Sequence, residues 1–225
     1  MAQHTDRRYE EELTRLRQLV LAMGGLVESQ IADSMAALSG HDAVLAEATI
    51  ERDHRVNRYD VEIDDECLRL LALYQPAARD LRLITTGLKI TTDLERIGDL
   101  AVNVCERVLE RSAERPEQRI DLPRMAETAR RMLRESLDAF VREDADLALK
   151  VCKDDDVIDQ QHAAMFREVL EYMRAHPEFI VAGTSQLFVS KYLERIADHA
   201  TNIAEMVIFM VKGKSIRHLS VPATI

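Results

Sequence analysis

Apolar residues recur at helical spacing along almost the whole chain, in six long segments separated by short polar breaks. Steps of three and four residues between apolar positions are typical of amphipathic helices that pack by one face. The pattern predicts helices over about 6–38, 43–73, 77–111, 123–141, 144–175 and 180–212. Glycine or proline stands in the breaks SGHD (39–42), YQPAARD (74–80) and HPEF (176–179), where it disfavours a continuous helix. We therefore predict an all-α fold.

One ten-residue phrase occurs twice in this helical pattern. LERIGDLAVN begins at Leu94, and LERIADHATN begins 99 residues later, each in the third helix of its half. A weaker echo lies in the second helix of each half, where Asp53-x-x-Val56-Asn57 matches Asp155-x-x-Ile158-Asp159. The repeat predicts two tandem three-helix bundles. Their expected bounds are 1–112 and 122–213, with a polar linker over 113–121 and a mobile tail over 214–225.

The repeated phrase separates an apolar seam from an acidic stripe. The seam recurs at steps of three and four residues and predicts the packing face of each helix (Leu94, Ile97, Ala101, Val104, Val108; Leu193, Ile196, Ala200, Ile203, Val207). On a helical wheel the polar residues of the phrase fall almost opposite this seam (Glu95, Asp99, Asn103; Glu194, Asp198, Asn202). Gly98 and Ala197 lie between the two faces, where a small residue permits close helix approach.

The acidic stripe has two open interpretations. Carboxylates four residues apart on one helix face repel each other unless something neutralises them. Carboxylate and amide oxygens suit hard cations such as Mg²⁺, Ca²⁺, Mn²⁺ or iron, and the neighbouring helix would add Asp53 with Asn57, or Asp155 with Asp159. Alternatively, arginines three residues before Asp99 and Asp198 form ordinary surface ion pairs. Because the stripe is kept in both halves, metal binding or partner contact is favoured.

Other candidate chemistry is weaker. Glu51-x-x-His54 has the spacing of a ferritin-like di-iron centre, but it stands alone in its half, so a ferritin-like oxidoreductase is kept only as an alternative. The acidic run at 153–162 is interpreted as a solvated helix start, and His199 as a surface histidine. No combination of nucleophile, base and oxyanion hole is recognisable, which predicts a protein that is not an enzyme.

Charge and cysteine content narrow the class of partner and compartment. The chain has 40 acidic against 30 basic residues, a net charge of −10, which argues against nucleic-acid binding. Three widely spaced cysteines predict a reduced, cytoplasmic protein. The longest apolar run near the carboxyl end, MVIFMV at 206–211, is far shorter than the ~20 residues that span a bilayer, so we expect no direct membrane insertion.

Two stretches resemble the signatures of the PhoU family: QPAARDLRLITTGLKITTDLERIGDLAVNVCE (75–106) and KYLERIADHATNIAEMVIFMVKG (191–213). The resemblance covers essentially the whole chain and implies a cytoplasmic, homodimeric regulator of phosphate uptake. It implies two partners, the ATPase subunit of the phosphate-specific ABC transporter and the sensor histidine kinase of the phosphate regulon. The expected action is repression of that regulon when phosphate is plentiful. An accessory role at another transporter is the alternative.

The resemblance also implies metal ions (iron, zinc or magnesium) at surface carboxylate motifs. By matching position the expected ligands are Glu95, Asp99 and Asn103 in the first half and Glu194, Asp198 and Asn202 in the second. Shorter matches add Asp53, Asn57, Asp80, Asp155 and Asp159.

Overall fold

The computed structural model describes residues 2–110 and 121–214, and every element of this part of the chain is helical. Six α-helices follow one another: α1 (Ala2–Gly40), α2 (Ala43–Tyr74), α3 (Ala78–Leu109), α4 (Leu122–Arg142), α5 (Ala145–Ala175) and α6 (Ile180–Lys212). A single 3₁₀ turn, Pro177–Phe179, precedes α6. The predicted all-α class is confirmed. The predicted linker and tail lie outside the described residues, apart from Asp121 and Lys214.

Short polar connections end the helices where the sequence predicts breaks. Asp42, Asp121 and Asp144 each accept backbone N–H groups at the start of the following helix, as N-capping residues do. The first break is shorter than predicted, because α1 continues through Gly40 and turns only at His41 and Asp42. His41 takes the left-handed conformation there, with φ of 53°.

The predicted seam is the core of each half. Nine of its ten residues are at most 3% exposed, and Val108 is 8% exposed. Gly98 and Ala197 are buried too, as expected for positions of close helix approach. A Cβ atom on Gly98 would lie 3.1 Å from Oδ1 of Asp53, so this glycine lets α2 and α3 meet at the acidic stripe. The apolar period therefore determines which face of each helix is buried.

Helices α1–α3 pack on one another, as do α4–α6, and this confirms the two predicted three-helix bundles. The bundles lie side by side through α3 against α6 and α1 against α4. Three contacts show that α3 and α6 run antiparallel: Arg82 Nε donates to Met210 O (2.9 Å), Asp93 pairs with His199 (2.8 Å), and Arg107 lies over the Phe188 ring (5.8 Å). The two repeated phrases thus cross near the middle of the molecule.

Ion pairs tie the two bundles together. Glu143, at the left-handed end of α4, pairs with Arg17 of α1 at 2.9 Å and also with Arg79 of α3. Further toward the start of α4, Arg130 and Arg134 both reach Glu28 of α1, at 3.3 and 3.2 Å. In the described part of the chain, no helix combines the length and apolarity needed to cross a membrane.

Candidate metal-binding clusters

The repeated phrase of α6 faces α5 across a group of four carboxylates, which we call the second acidic cluster (Asp155, Asp159, Glu194, Asp198). One carboxylate oxygen of each of Asp159, Glu194 and Asp198 lies within 4.8 Å of the others. Lys191 supplies a single ammonium, which pairs with both oxygens of Glu194 at 2.6 and 2.5 Å. Two helices therefore bring three carboxylate oxygens close enough together to bind one hard cation.

Two carboxylates of the second acidic cluster have raised pKa values, because they are partly buried and lie close to other carboxylates. Burial, together with Asp198, Asp159 and Asp156, raises the pKa of Asp155 to about 6, although the Thr201 hydroxyl donates to it at 3.1 Å. The pKa of Asp198 is also raised, by desolvation of its carboxylate between α5 and α6 and then by Glu194 and Asp159, although the residue as a whole is exposed. A bound cation would relieve both effects.

The matching first acidic cluster (Asp53, Asn57, Glu95, Asp99) is already partly neutralised. Arg96 pairs with Glu95 at 3.3 Å and with Asp99 at 3.1 Å. The pKa of Glu95 is nevertheless raised, first by burial and then by Asp99, with smaller effects from Asp60 and Asp53. The surface ion pair that was the alternative interpretation of the stripe thus forms in this half. Arg195, at the matching place in α6, makes no ion pair with described residues.

Amide groups hold Asp53 in the first cluster. Gln30, fully buried in α1, donates to Asp53 Oδ1 at 3.1 Å, and Asn57 donates to Oδ2 at 3.2 Å. Gly98 leaves the space in which Asp53 stands. The second half has Ala197 at that place, and Asp155 bonds Thr201 instead. The only sequence signal for Gln30 was a polar residue inside the apolar face of α1.

Three of the predicted ligands lie away from these clusters. Asp80 is in the first turn of α3, about 22 Å along the helix from Glu95, beside Glu10, Arg17 and Glu143. Asn103 lies two turns beyond Glu95, about 12 Å along α3. Asn202 instead donates to Asp93 of α3 at 3.2 Å, across the interface between the bundles.

Two interpretations of single features are corrected. His199 is not a surface histidine: its side chain is 18% exposed, and Nδ1 lies 2.8 Å from Asp93 Oδ1 on α3. The acidic run at 153–162 is not a helix start but the middle of α5, since that helix begins at Ala145. It provides Asp155 and Asp159 to the second acidic cluster. These residues lie more than two turns from the start of α5, so the helix dipole does not stabilise their charges.

The remaining candidates do not join the clusters. Glu51 and His54 are exposed on α2, with side chains 81% and 74% accessible and 3.9 Å apart, rather than in the core. All three cysteines are buried, and burial raises their pKa values to about 12 for Cys67 and Cys152 and to about 11 for Cys105. These thiols are therefore protonated and unreactive at neutral pH.

We expect the raised pKa of Asp155 to make the free energy of unfolding depend on pH. An aspartate with a raised pKa binds protons more tightly in the folded state, so the destabilising contribution of Asp155 to the metal-free protein becomes smaller as pH falls from 7.5 to 5. Asp155→Asn should raise the free energy of unfolding at pH 7.5 by about 1 kcal/mol, after allowance for solvent screening, and by roughly half as much at pH 5, which lies between the ordinary pKa of 3.8 and the folded value of about 6. The measurement is urea unfolding of chelator-treated protein at both values of pH.

Asp65→Asn, an exposed substitution on α2, is the matched control and should change the free energy of unfolding by at most about 0.5 kcal/mol. If Asp155→Asn raises the free energy of unfolding equally at pH 5 and pH 7.5, the pKa of Asp155 is not raised in the folded protein.

Comparison with known proteins assigns a family to this geometry. The PhoU domain model matches twice, over residues 20–108 and 122–207. The phosphate-specific transport system accessory protein PhoU homologue of Pseudomonas putida is 41% identical over 221 residues, 97% of this chain and 86% of that protein. The accessory protein PhoU of Escherichia coli K12 is 36% identical over 217 residues, 96% of this chain and 90% of its own length.

Solved structures agree with this assignment. The crystal structure of PhoU from Pseudomonas aeruginosa superposes with a TM-score of 0.87 at 42% identity, covering 92% of this chain and 100% of the other. The phosphate transport system regulatory protein PhoU from Streptococcus pneumoniae also gives 0.87, at 32% identity, with 92% and 98% coverage. Two copies of one domain, matched over nearly the full length in sequence and fold, show that this chain belongs to the PhoU family.

Proposed function

We propose that this chain is a non-enzymatic accessory protein of phosphate uptake, which couples the phosphate-specific ABC transporter to the sensor kinase of the phosphate regulon and represses that regulon when phosphate is plentiful. The observation that carries the proposal is the match over 97% of the chain to a relative named as a phosphate transport accessory protein. An adaptor needs no catalytic chemistry, because it acts by binding one conformation of a partner more tightly than another.

We also propose that the protein binds metal ions, and the second acidic cluster supports this. The donor set fits: converging carboxylates with raised pKa values gain from a cation, and their oxygens are the ligands of hard metals. In the second cluster Asp159, Glu194 and Asp198 would hold the ion, with Asp155 beside them. In the first, Glu95, Asp99, Asp53 and Asn57 would do so in competition with Arg96.

Such a site also supplies a means of contact with partners. The clusters lie in the grooves between α2 and α3 and between α5 and α6, where Asp99 and Asp198 remain accessible. Basic loops of the ATPase or the kinase would be attracted to these grooves, either directly or through a bound cation. The homodimer implied by the family stays a prediction, as does the cytoplasmic location.

A gene deletion in the native host tests the proposal. With alkaline phosphatase activity as the reporter of the phosphate regulon, we expect high expression in phosphate-rich medium after deletion and a return to low expression with the wild-type gene. The variant Asp159→Asn/Asp198→Asn, produced at the wild-type level, then tests whether repression depends on the second acidic cluster. High expression in phosphate-rich medium would mean that repression needs this cluster, and low expression would mean that it does not. Unchanged low expression in the deletion strain, with no second copy of the family in its genome, would contradict the repressor role.

A further inference from the structure

A histidine lies one helical turn from the second acidic cluster. His162 follows Asp159 by three residues on α5, and residues at that spacing are neighbours on one helix face. Its partner Ser190 precedes Glu194 by four residues on α6, and His162 Nδ1 lies 3.0 Å from Ser190 Oγ. The His162–Ser190 contact is thus the next layer of the α5–α6 interface after Asp159 and Glu194.

The hydrogen bonds of Ser190 assign the tautomer of this histidine. The Ser190 hydroxyl donates its proton to Leu187 O at 3.0 Å, so toward the imidazole it acts as acceptor. In this arrangement Nδ1 is the protonated nitrogen of the neutral His162 ring, and Nε2 presents the lone pair. Nε2 makes no hydrogen bond within the described ranges. A histidine whose other nitrogen is fixed by a hydrogen bond is in the usual state of a metal ligand.

The first half differs at this position. His162 corresponds to Asp60, 102 positions earlier, which is half-buried. Ser190 corresponds to Thr91, 99 positions earlier, which is fully buried. The first acidic cluster therefore has a further carboxylate where the second has an imidazole. Nitrogen donors favour zinc and other borderline transition metals, whereas a set of oxygen donors alone suits magnesium, calcium and manganese.

We propose that His162 supplies a nitrogen ligand to the metal ion bound at the second acidic cluster and gives that cluster a preference for Zn²⁺ over Mg²⁺. The inference rests on the proposed metal binding. His162 is not among the three groups that already lie within 4.8 Å of one another. Asp159 is exposed and precedes His162 by three residues, the spacing at which a carboxylate and a histidine of one helix can bind the same ion.

Nitrogen-15 spectroscopy of the histidine rings tests the inference directly on the full-length protein. Before metal is added, the His162 ring, identified by its loss in His162→Gln, should show a protonated Nδ1 and a bare Nε2. On addition of one equivalent of Zn²⁺, the Nε2 resonance should move to the position of a metal-bound nitrogen. The His54 ring, exposed on α2, is the internal control and should not move.

Metal titrations of three variants give a second measure. His162→Asp, which copies the first half, should lower Zn²⁺ affinity at least about tenfold while leaving Mg²⁺ affinity unchanged or higher. His162→Gln should weaken Zn²⁺ binding similarly, and His54→Gln should have no effect. The apparent melting temperature without metal shows whether each variant is folded.

The possible failures are distinguishable. If Zn²⁺ binds to the wild-type protein and Asp159→Asn/Asp198→Asn abolishes this binding, but the His162 resonance and the His162→Gln affinity do not change, the nitrogen ligand is refuted and the carboxylate site stands. If the wild-type protein binds neither Zn²⁺ nor Mg²⁺, proposed metal binding fails and the inference fails with it.

Discussion

Replacing Asp159 and Asp198 by asparagine should lower the affinity of the protein for Zn²⁺ by about 100-fold or more, since two of three converging carboxylates lose their charge. The substitution preserves side-chain volume and leaves the Lys191–Glu194 pair intact. Because the pKa of Asp198 is raised in the native protein, removal of its charge should also leave stability without metal unchanged or slightly higher. Isothermal titration of chelator-treated protein measures the first effect, and thermal unfolding the second.

A matched control is available on α2. Glu47→Gln/Glu51→Gln removes two exposed carboxylates at the same i,i+4 spacing, outside both clusters, and should not change Zn²⁺ affinity. Glu95→Ala/Asp99→Ala should lower the amount of bound metal by less than the substitution in the second cluster, because Arg96 already pairs with both carboxylates, and should leave the helical fold intact. Equal losses from the control and the cluster variants would mean that metal binds to the acidic surface in general.

Replacing Ile196 by alanine should lower the free energy of unfolding by about 2–5 kcal/mol. Ile196 is fully buried in the seam of α6, between the Glu194 and Asp198 positions that face the groove. The same substitution at Ile180, which is 50% exposed on the same helix, is the control and should cost at most about 0.5 kcal/mol. Denaturant unfolding at one pH measures both variants.

The pair of isoleucine variants tests the division of the repeated phrase into two faces. If Ile196→Ala costs no more than Ile180→Ala, the seam does not carry the packing of α6. A cost to stability from Asp159→Asn/Asp198→Asn as large as that from Ile196→Ala would mean that the carboxylates are structural. The expected contrast is a core residue that affects stability beside a carboxylate pair that affects metal affinity.

The difference between the halves has a consequence for regulation. The two clusters are built from one repeated phrase, but one is paired with an arginine and the other with a lysine, and their next layers contain Asp60 and His162. In our proposal the two halves therefore differ in affinity and in metal preference. A partner that contacts both grooves would then meet two surfaces of different charge, depending on the metal supply.

The sequence by itself determined the helices, the seam and the repeat. Apolar spacing depends only on the helical period, so it located six helices to within a few residues and predicted the buried seam residues. The repeated phrase likewise predicted two three-helix bundles, because a conserved seam requires the same packing in each half.

Only the tertiary structure decided which polar residues meet, because contacts between helices depend on how the helices cross and not on position within one phrase. Asn202 belongs to the same stripe as Glu194, yet the crossing of α3 and α6 brings it to Asp93, and Asp80 lies at the far end of α3. The buried Gln30 holds Asp53, and Lys191 reaches Glu194 where Arg96 reaches both carboxylates of the first half. Burial and the charge of Asp198 raise the pKa of Asp155, and both act only once α5 and α6 have packed together.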